Sequence, residues 1–187
     1  MQRMTSMTKK TRFAGILLMI MLLSSILTAC GSSADLTVFI MPREHLPDGV
    51  SEKVEEKLQK AFGEDKKMAV HGTPMYNDQK MIVELAAGGN GIMILPKEVL
   101  ENMMAQGAAV QLDQWFKTED YPEGVMESVV GDKDSEKKVT ALFALPVEKI
   151  PVFKEAGYEE KDMFIFIPAN APDEELSVEV LKEIVKP

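Results

Sequence analysis

Between residues 36 and 112, short apolar runs alternate with segments of helical periodicity, and this alternation constrains the fold more than any other feature. The runs are largely apolar, rich in β-branched residues and too short for helices, so each predicts a buried strand. They are Leu36–Met41, Lys67–Gly72 and Ile92–Leu95. Between them apolar residues recur every third or fourth position, as on the buried side of a helix. The sequence therefore predicts an α/β fold, a mostly parallel sheet with helices on both faces.

Capping residues and turn signals place the helix boundaries. Gly63 is expected to end the first helix, Asn77 to cap the second, and Pro96 to stand in the first turn of the third. In the second helix four side chains are expected to form a single apolar face: Met81, Ile82, Leu85 and Ala86. A short fourth strand is predicted at Val110–Leu112, immediately after these helices.

The region that follows is less regular. The charged turn Gly131–Lys138 predicts the tip of a hairpin, and Met163–Ile167 predicts a strand. Pro172 and the acidic residues after it begin the last helix, where negative charge favours the helix dipole. Four apolar side chains of that helix are expected to face inward: Leu176, Val180, Leu181 and Ile184.

The first 30 residues follow the pattern of an export signal. Four basic residues precede an apolar run, Phe13–Leu27, of about 15 residues, which is shorter than the roughly 20 that span a bilayer. The run ends in Leu27-Thr28-Ala29-Cys30, which resembles the bacterial lipobox. This resemblance implies cleavage before Cys30 and a lipid on its thiol. An uncleaved transmembrane anchor is the alternative.

These observations predict a signal peptide at 1–29, a lipidated tether at 30–34 and a single α/β domain at 35–187. We expect the domain at the extracytoplasmic face of the cell membrane, held there by the lipid on Cys30. Because the signal carries four of the 21 basic residues, the mature part keeps 17 against 30 acidic, a formal net charge of −13. Such a charge disfavours nucleic acid as a partner. With the sole cysteine lipidated, disulfides and cysteine metal sites are excluded.

Four side chains near the carboxyl ends of the predicted strands form the candidate ligand site, because ligands of parallel sheets bind beyond those ends. Arg43 would hold an anionic group, and Tyr76 and Trp115 would supply stacking or apolar walls. Asn77 would be a hydrogen-bond partner. The alternative is structural: Asn77 serves only as a helix cap, and Trp115 only anchors a loop.

The sequence predicts no catalytic residues, no metal and no cofactor. His45 and His71 are the two histidines, and their separate positions lack the spacing of a zinc site. The sequence contains no Gly-x-Ser-x-Gly elbow, phosphate-binding loop or His-Glu-x-x-His motif. An enzyme is therefore not expected, and a hydrolase with paired carboxylates is the enzyme alternative that stays open.

The segment Lys80–Phe116, KMIVELAAGGNGIMILPKEVLENMMAQGAAVQLDQWF, resembles the first lobe of extracellular solute-binding proteins of ABC importers, the type II periplasmic-binding-protein fold. The matching pieces are Leu85-Ala86-Ala87-Gly88-Gly89, Ile92-Met93-Ile94-Leu95, Gly107 and Leu112-Asp113. Asn90-Gly91 stands where this family usually places an acidic residue. The piece Phe164–Val185, FIFIPANAPDEELSVEVLKEIV, is similar to the strand, polar turn and helix with which such proteins often end.

The resemblance implies a single lobe of this fold. About 75 residues follow the predicted first sheet, enough to finish that lobe or to add a stunted second one. It also implies a small-molecule binding protein or an importer accessory, with a membrane permease or another protein as partner. The alternative is a protein-interaction lipoprotein that kept the lobe without a ligand cleft. An aromatic-lined pocket at the strand ends favours the first interpretation, and a flat exposed apolar patch favours the second.

Overall fold

A computed structural model describes residues 34–131 and 136–187. Within these ranges the strands are β1 Leu36–Ile40, β2 Met68–Gly72, β3 Ile92–Pro96, β4 Val125–Val130, β5 Lys137–Leu142, β6 Leu145–Pro146 and β7 Met163–Phe166. The α-helices there are α1 Val50–Phe62, α2 Asp78–Ala87, α3 Lys97–Met104, α4 Pro151–Glu155 and α5 Glu174–Val185. No helix in the described ranges combines the length and the apolar character needed to cross a membrane. The predicted signal peptide and Cys30 lie outside the described residues.

Five of the strands form one sheet in the order β2-β1-β3-β7-β6. The pairs β1–β2 and β1–β3 are parallel, whereas β7 is antiparallel to both β3 and β6. The predicted α/β fold with a mostly parallel sheet is confirmed. The strand at the end of the chain was expected, but its reversed direction next to β3 was not.

Alternate residues of the sheet enter two separate hydrophobic clusters, since successive side chains of a strand point to opposite faces. Val38 and Ile40 join the cluster that contains α1, α4 and α5, which we call the α5 face. Phe39 and Met41 join the cluster that contains α2, α3 and the β4–β5 hairpin, which we call the α2 face. Helices therefore cover both faces, as predicted.

The helices on the α5 face each bury an apolar stripe against the sheet. α1 buries Val50, Val54 and Leu58 and ends at Gly63, whose φ of 68° suits glycine. Asp173 caps α5, because its carboxylate accepts the Leu176 backbone N–H at 2.9 Å. Six side chains of α5 are buried: Leu176, Ser177, Val178, Val180, Leu181 and Ile184. The four inward-facing residues predicted for α5 are confirmed.

α2 packs less deeply on the other face. Asn77 caps it as predicted, accepting the Lys80 backbone N–H at 2.8 Å. Within α2, Met81 is the buried residue, whereas Ile82 is 60% exposed and Ala86 is exposed as well. The expected single apolar face is present, because all four side chains line one gap between α2 and α3, and part of this face borders that gap instead of the sheet.

The short strand predicted at Val110–Leu112 does not form. The segment begins with one antiparallel bridge between Ala109 and Pro168, and the Val110 N–H donates to Ile167 O at 2.9 Å. The Leu112 N–H then donates to Leu142 O at 2.7 Å. Because the chain changes partner after one residue pair, no ladder develops, although Leu112 itself is fully buried.

β4 and β5 form a separate antiparallel hairpin with register from Val125↔Leu142 to Val130↔Lys137. Its tip falls within the predicted turn, of which residues 132–135 lie outside the described part. The chain divides between Ser33 and Ala34, and residues 34–187 form one compact unit that contains both described clusters. Because this unit contains its own hydrophobic core, we expect it to fold on its own.

Candidate functional site

The strand order opens a crevice between the carboxyl ends of β1 and β3. The chain leaves β1 through α1 on the α5 face to reach β2, and returns past β1 through α2 on the α2 face to reach β3. Where successive connections depart in opposite directions, the loops separate, and ligands of open α/β sheets bind in that gap. We call the cavity at this position the switch-point crevice.

The switch-point crevice has a volume of about 410 Å³ and takes its lining from the chain after each of the three parallel strands. Its lining residues are Arg43, Tyr76, Asp78, Met81, Pro96, Glu98, Val99, Asn102 and Met103. Polar groups thus converge from three connections over apolar walls. Small-molecule sites combine apolar walls and few polar groups in the same way.

A bidentate ion pair holds Arg43 at the crevice. Its Nε donates to Glu98 Oε1 at 3.0 Å, Nη2 donates to Glu98 Oε2, and Nη1 donates to the Lys161 carbonyl at 3.3 Å. The hydrogen bonds from Arg43 lower the pKa of the Glu98 carboxyl below its usual value. The same bonds raise the pKa of Arg43. The pair joins the loop after β1 to the first turn of α3.

Glu160 fixes the loop that carries Arg43. One carboxylate oxygen accepts the Glu44 backbone N–H at 3.0 Å, and the other accepts the Tyr158 hydroxyl at 3.0 Å. Tyr158 is buried, and burial together with the charge of Glu160 raises the pKa of its hydroxyl. Arg43 is therefore held in two ways. Its side chain is bonded to Glu98 and the Lys161 carbonyl, and the backbone N–H of the next residue is bonded to Glu160.

Tyr76 and Asp78 form the opposite wall. The Tyr76 hydroxyl donates to Asp78 Oδ1 at 2.7 Å. Burial, followed by the hydrogen bond to Asp78 and the nearby carboxylate charges, raises the pKa of Tyr76 to about 12. Tyr76 therefore stays protonated at neutral pH and acts as a hydrogen-bonding and apolar group, not as a base.

The charges in the crevice change the expected role of Arg43. Its lining carries one cationic side chain and two carboxylates, those of Asp78 and Glu98. Glu160 and Asp162 add negative charge near the guanidinium. An anionic ligand would have to displace Glu98 from Arg43 and approach an excess of negative charge. Neutral or cationic ligands fit this electrostatic environment better than the anionic group expected from the sequence.

The structure brings together two of the four predicted site residues. Arg43 and Tyr76 both line the crevice. Asn77 does not line it, and its side-chain oxygen caps α2. Trp115 packs against the cluster of the α5 face, on the opposite side of the sheet from Tyr76. These placements match the structural alternative for Asn77 and Trp115.

Sequence reasoning missed the carboxylates and amide of the crevice. Asp78 and Glu98 stand in the first turns of α2 and α3, the helices that follow β2 and β3. First-turn acidic residues are common because they favour the helix dipole, so nothing in the local sequence marks these two as site residues. The carboxyl ends of parallel strands share one edge, however, and the first turns of the helices that follow lie at that edge too.

A second cavity of about 560 Å³ adjoins the crevice between α2 and the end of α3, and we call it the apolar furrow. Its lining residues are Met81, Ile82, Leu85, Ala86, Met103, Gln106, Gly107, Ala108, Ala169 and Asn170. Met81 and Met103 also line the crevice, so the two cavities share a wall. Asn170 closes the far end by donating to Leu85 O at 2.7 Å.

The two histidines line a third cavity, at the amino end of α1. His45 and His71 border it together with Asp48 and Glu52. Nevertheless, in the described ranges no group of three or more His, Cys, Asp or Glu residues is arranged to hold a metal ion. His71 lies near the end of β2, the edge strand of the sheet, and is exposed.

No protein-family profile matches the chain, and no curated protein matches it. Two solved structures are similar to it. An extracellular solute-binding protein family 1 member from Alicyclobacillus acidocaldarius subsp. acidocaldarius DSM 446 is 17% identical over 59% of this chain, with a TM-score of 0.40. CpMnBP1, solved with mannotriose bound, is 18% identical over 65% of this chain, with a TM-score of 0.37.

This chain spans 27% and 32% of the length of those two proteins. At these identities and scores, neither neighbour assigns a ligand or a binding residue to this chain. The first of the two carries the name of the family that the sequence resembles, at low identity and with partial coverage.

Proposed function

We propose that this chain is a lipoprotein, anchored through a lipid on Cys30 at the extracytoplasmic face of the cell membrane, that binds a small solute in the switch-point crevice. The signal-like segment and its Leu-Thr-Ala-Cys sequence support the anchor. The two structural neighbours are too distant to transfer a ligand to this chain. The support for the binding role is therefore the crevice itself.

The observation that carries the proposal is the convergence of Arg43, Tyr76 and Glu98 on one cavity from three different connections. The ion pair and the Glu160 contacts hold these groups in place without a ligand, so little ordering would be needed on binding. Asn102 is exposed at the rim and offers amide hydrogen bonds to a solute. A bound solute would be passed to a membrane permease or reported to another protein partner.

A thermal-shift screen of residues 34–187 against sugars, amino acids, peptides and polyols tests the binding role. At about one hundred times its dissociation constant, a ligand stabilises the folded state by about 2.7 kcal/mol. For a domain of this size that corresponds to a rise in Tm of about 5–10 °C. A cooperative unfolding transition that no solute shifts would contradict the proposal.

Asn102→Ala identifies the site of any hit. The substitution removes a rim amide and should abolish or reduce the shift, while Gln114→Ala, an exposed amide outside the crevice, should leave it unchanged. If both variants keep the full shift, the solute binds elsewhere.

Exposed apolar side chains favour a second candidate, a protein-interaction lipoprotein. Met75, Ile82 and Val83 are 61%, 60% and 65% exposed, and Ile82 also lines the apolar furrow. Exposed apolar surface marks interaction sites where it is contiguous. A folded domain without any solute hit would favour this candidate.

The absence of enzymatic activity stays a prediction. Its support is that the polar groups of the crevice are already paired, Arg43 with Glu98 and Tyr76 with Asp78.

A further inference from the structure

The switch-point crevice and the apolar furrow adjoin at two methionines, and movement of these flexible side chains would let one ligand reach both cavities. Met81 and Met103 line both cavities, and their unbranched side chains adapt readily to different contents. The volumes of about 410 and 560 Å³ each fall in the range of small-molecule sites. The two ends differ sharply in chemistry.

The crevice end is polar and carries an excess of negative charge. Asp78 and Glu98 face one guanidinium, and a carboxylate can accept several hydrogen bonds, of which Asp78 uses one for Tyr76. A positively charged group would gain from both carboxylates, whereas an anion would be repelled.

The furrow end is apolar and open along α2. Ile82, Leu85 and Ala86 form one side, and Ala108 and Ala169 lie across from them. The polar side chains there are few, and Asn170 is already bonded to Leu85 O. The furrow follows α2 from Met81 to Ala86, about 8 Å along the helix axis. Its volume of about 560 Å³ has room for an alkyl chain.

We infer that the ligand is an amphiphile, with a cationic head group in the switch-point crevice and an alkyl chain in the apolar furrow. This inference rests on the proposed binding function of the crevice and names the class of its ligand. Charge complementarity selects the head, and the position of Met81 and Met103 in the linings of both cavities favours a single molecule that reaches from one to the other.

Methionine methyl NMR of residues 34–187 tests the inference, with dodecyltrimethylammonium, dodecyl maltoside and dodecyl sulfate each titrated below its critical micelle concentration. The cationic probe should bind at least about tenfold more tightly than the anionic one, and decyltrimethylammonium about three- to tenfold more weakly than the dodecyl compound. The methyl signals of Met81 and Met103 should shift, while those of Met68 and Met163 on the α5 face stay in place.

Ala86→Arg and Ala87→Arg provide a matched pair of variants. Both residues are exposed on α2, but Ala86 lines the furrow and Ala87 does not. Both variants add the same charge, so a difference in their affinity for the probe shows that the probe lies in the furrow. Ala86→Arg should weaken binding of the cationic probe at least about tenfold, and Ala87→Arg should leave it within about twofold.

Several results would overturn the inference. Three of them are tighter binding of dodecyl sulfate than of the cationic probe, equal effects of the two arginine variants, and a common shift of all methionine methyl signals. The fourth is a dimer that Ala86→Arg dissociates, because the furrow would then be an interface between copies of the chain. A different result would separate the two proposals. If tetramethylammonium or a neutral solute shifts the Met81 methyl signal and the dodecyl probes bind no more tightly, the proposed binding function stands and the inference of an amphiphilic ligand is wrong. If no compound shifts Met81 or Met103, both fail.

Discussion

The two faces of the central sheet are built from the same strands but are closed in different ways. On the α5 face, α1 and α5 present long apolar stripes, and α5 alone buries six side chains. On the α2 face, α2 buries Met81 and leaves Ile82 largely exposed beside a cavity of about 560 Å³. Burial of apolar surface is the main stabilising contribution to folding. We therefore assign most of the stability to the α5 face and the binding surface to the α2 face.

The same contrast separates rigidity from adaptability. Cores pack as densely as organic crystals, so the face whose helices bury more side chains should resist change more. A helix with little burial can open locally at low free-energy cost, and binding surfaces are commonly drawn from such elements. α2 and the furrow beside it have this character, whereas α5 does not.

The largest expected contrast is between Leu181→Ala on α5 and Leu85→Ala on α2. Leu181 is fully buried, so its truncation removes buried apolar atoms and leaves a cavity, at a cost of about 2–5 kcal/mol. Leu85 is half-buried and faces the open furrow, so its truncation should cost about 1 kcal/mol or less. Denaturant unfolding of residues 34–187 measures both, and equal losses would remove the distinction between the faces.

A smaller contrast comes from two glycines before β3. A Cβ at Gly91 would lie 2.7 Å from the Leu36 side chain and 2.8 Å from Ser177 Oγ of α5, so Gly91→Ala must push apart the α5 face at about 1–3 kcal/mol. At Gly89 no atom lies within 4 Å, and Gly89→Ala should change the free energy of unfolding by less than about 0.5 kcal/mol. A tolerated Gly91→Ala would show that α5 packs more loosely than described.

The difference between the faces also explains which parts of the fold the sequence predicts. α1 and α5 have apolar residues on one side, so periodicity alone identifies what they bury. In α2, the runs Met81-Ile82-Val83 and Leu85-Ala86-Ala87 place apolar residues around most of the helix. Periodicity then cannot say which side faces the sheet, and the expected apolar face lines the furrow instead of being buried as a whole.

The candidate site was predicted in part for a related reason. Arg43 and Tyr76 directly follow strands whose carboxyl ends must share one edge, so local sequence and topology suffice. Trp115 follows a segment whose path depends on distant partners, since Asp113 accepts the Leu142 N–H at 3.1 Å and Leu112 donates to Leu142 O. No local pattern contains those contacts, so the face on which Trp115 lies could not be predicted.

The two helix caps give a third, smaller contrast. Asp173 and Asn77 each accept a backbone N–H in the first turn of their helix, at 2.9 and 2.8 Å. Replacement of a cap by alanine costs about 0.5–2 kcal/mol. We expect Asp173→Ala at the upper end, because α5 unfolds only with the core, and Asn77→Ala at the lower end, because α2 can fray alone.

Hydrogen exchange separates these cases. Asn77→Ala should speed exchange of the α2 amides more than it lowers global stability, whereas Asp173→Ala should lower both together. If Asn77→Ala reduces global stability as much as Asp173→Ala, then α2 is not an independently opening element.

The smallest expected effect belongs to the Arg43–Glu98 pair at the rim of the α2 face. The pKa of Glu98 is lower in the folded state than its ordinary value of 4.5, so the pair stabilises the fold fully above that value and loses this contribution as pH falls through the lowered pKa. The two side chains are 35% and 57% exposed, so the contribution is below about 1 kcal/mol. Glu98→Gln should therefore flatten the loss of stability as the pH falls below 4.5. Glu101→Gln, which removes a single 3.8 Å ion pair to Lys97, is the matched control.

Two outcomes would contradict this assignment. A stability profile of Glu98→Gln that keeps the full slope would mean that the pair positions Arg43 without stabilising the fold. An effect of several kcal/mol would place a structural role on the face that we assign to binding.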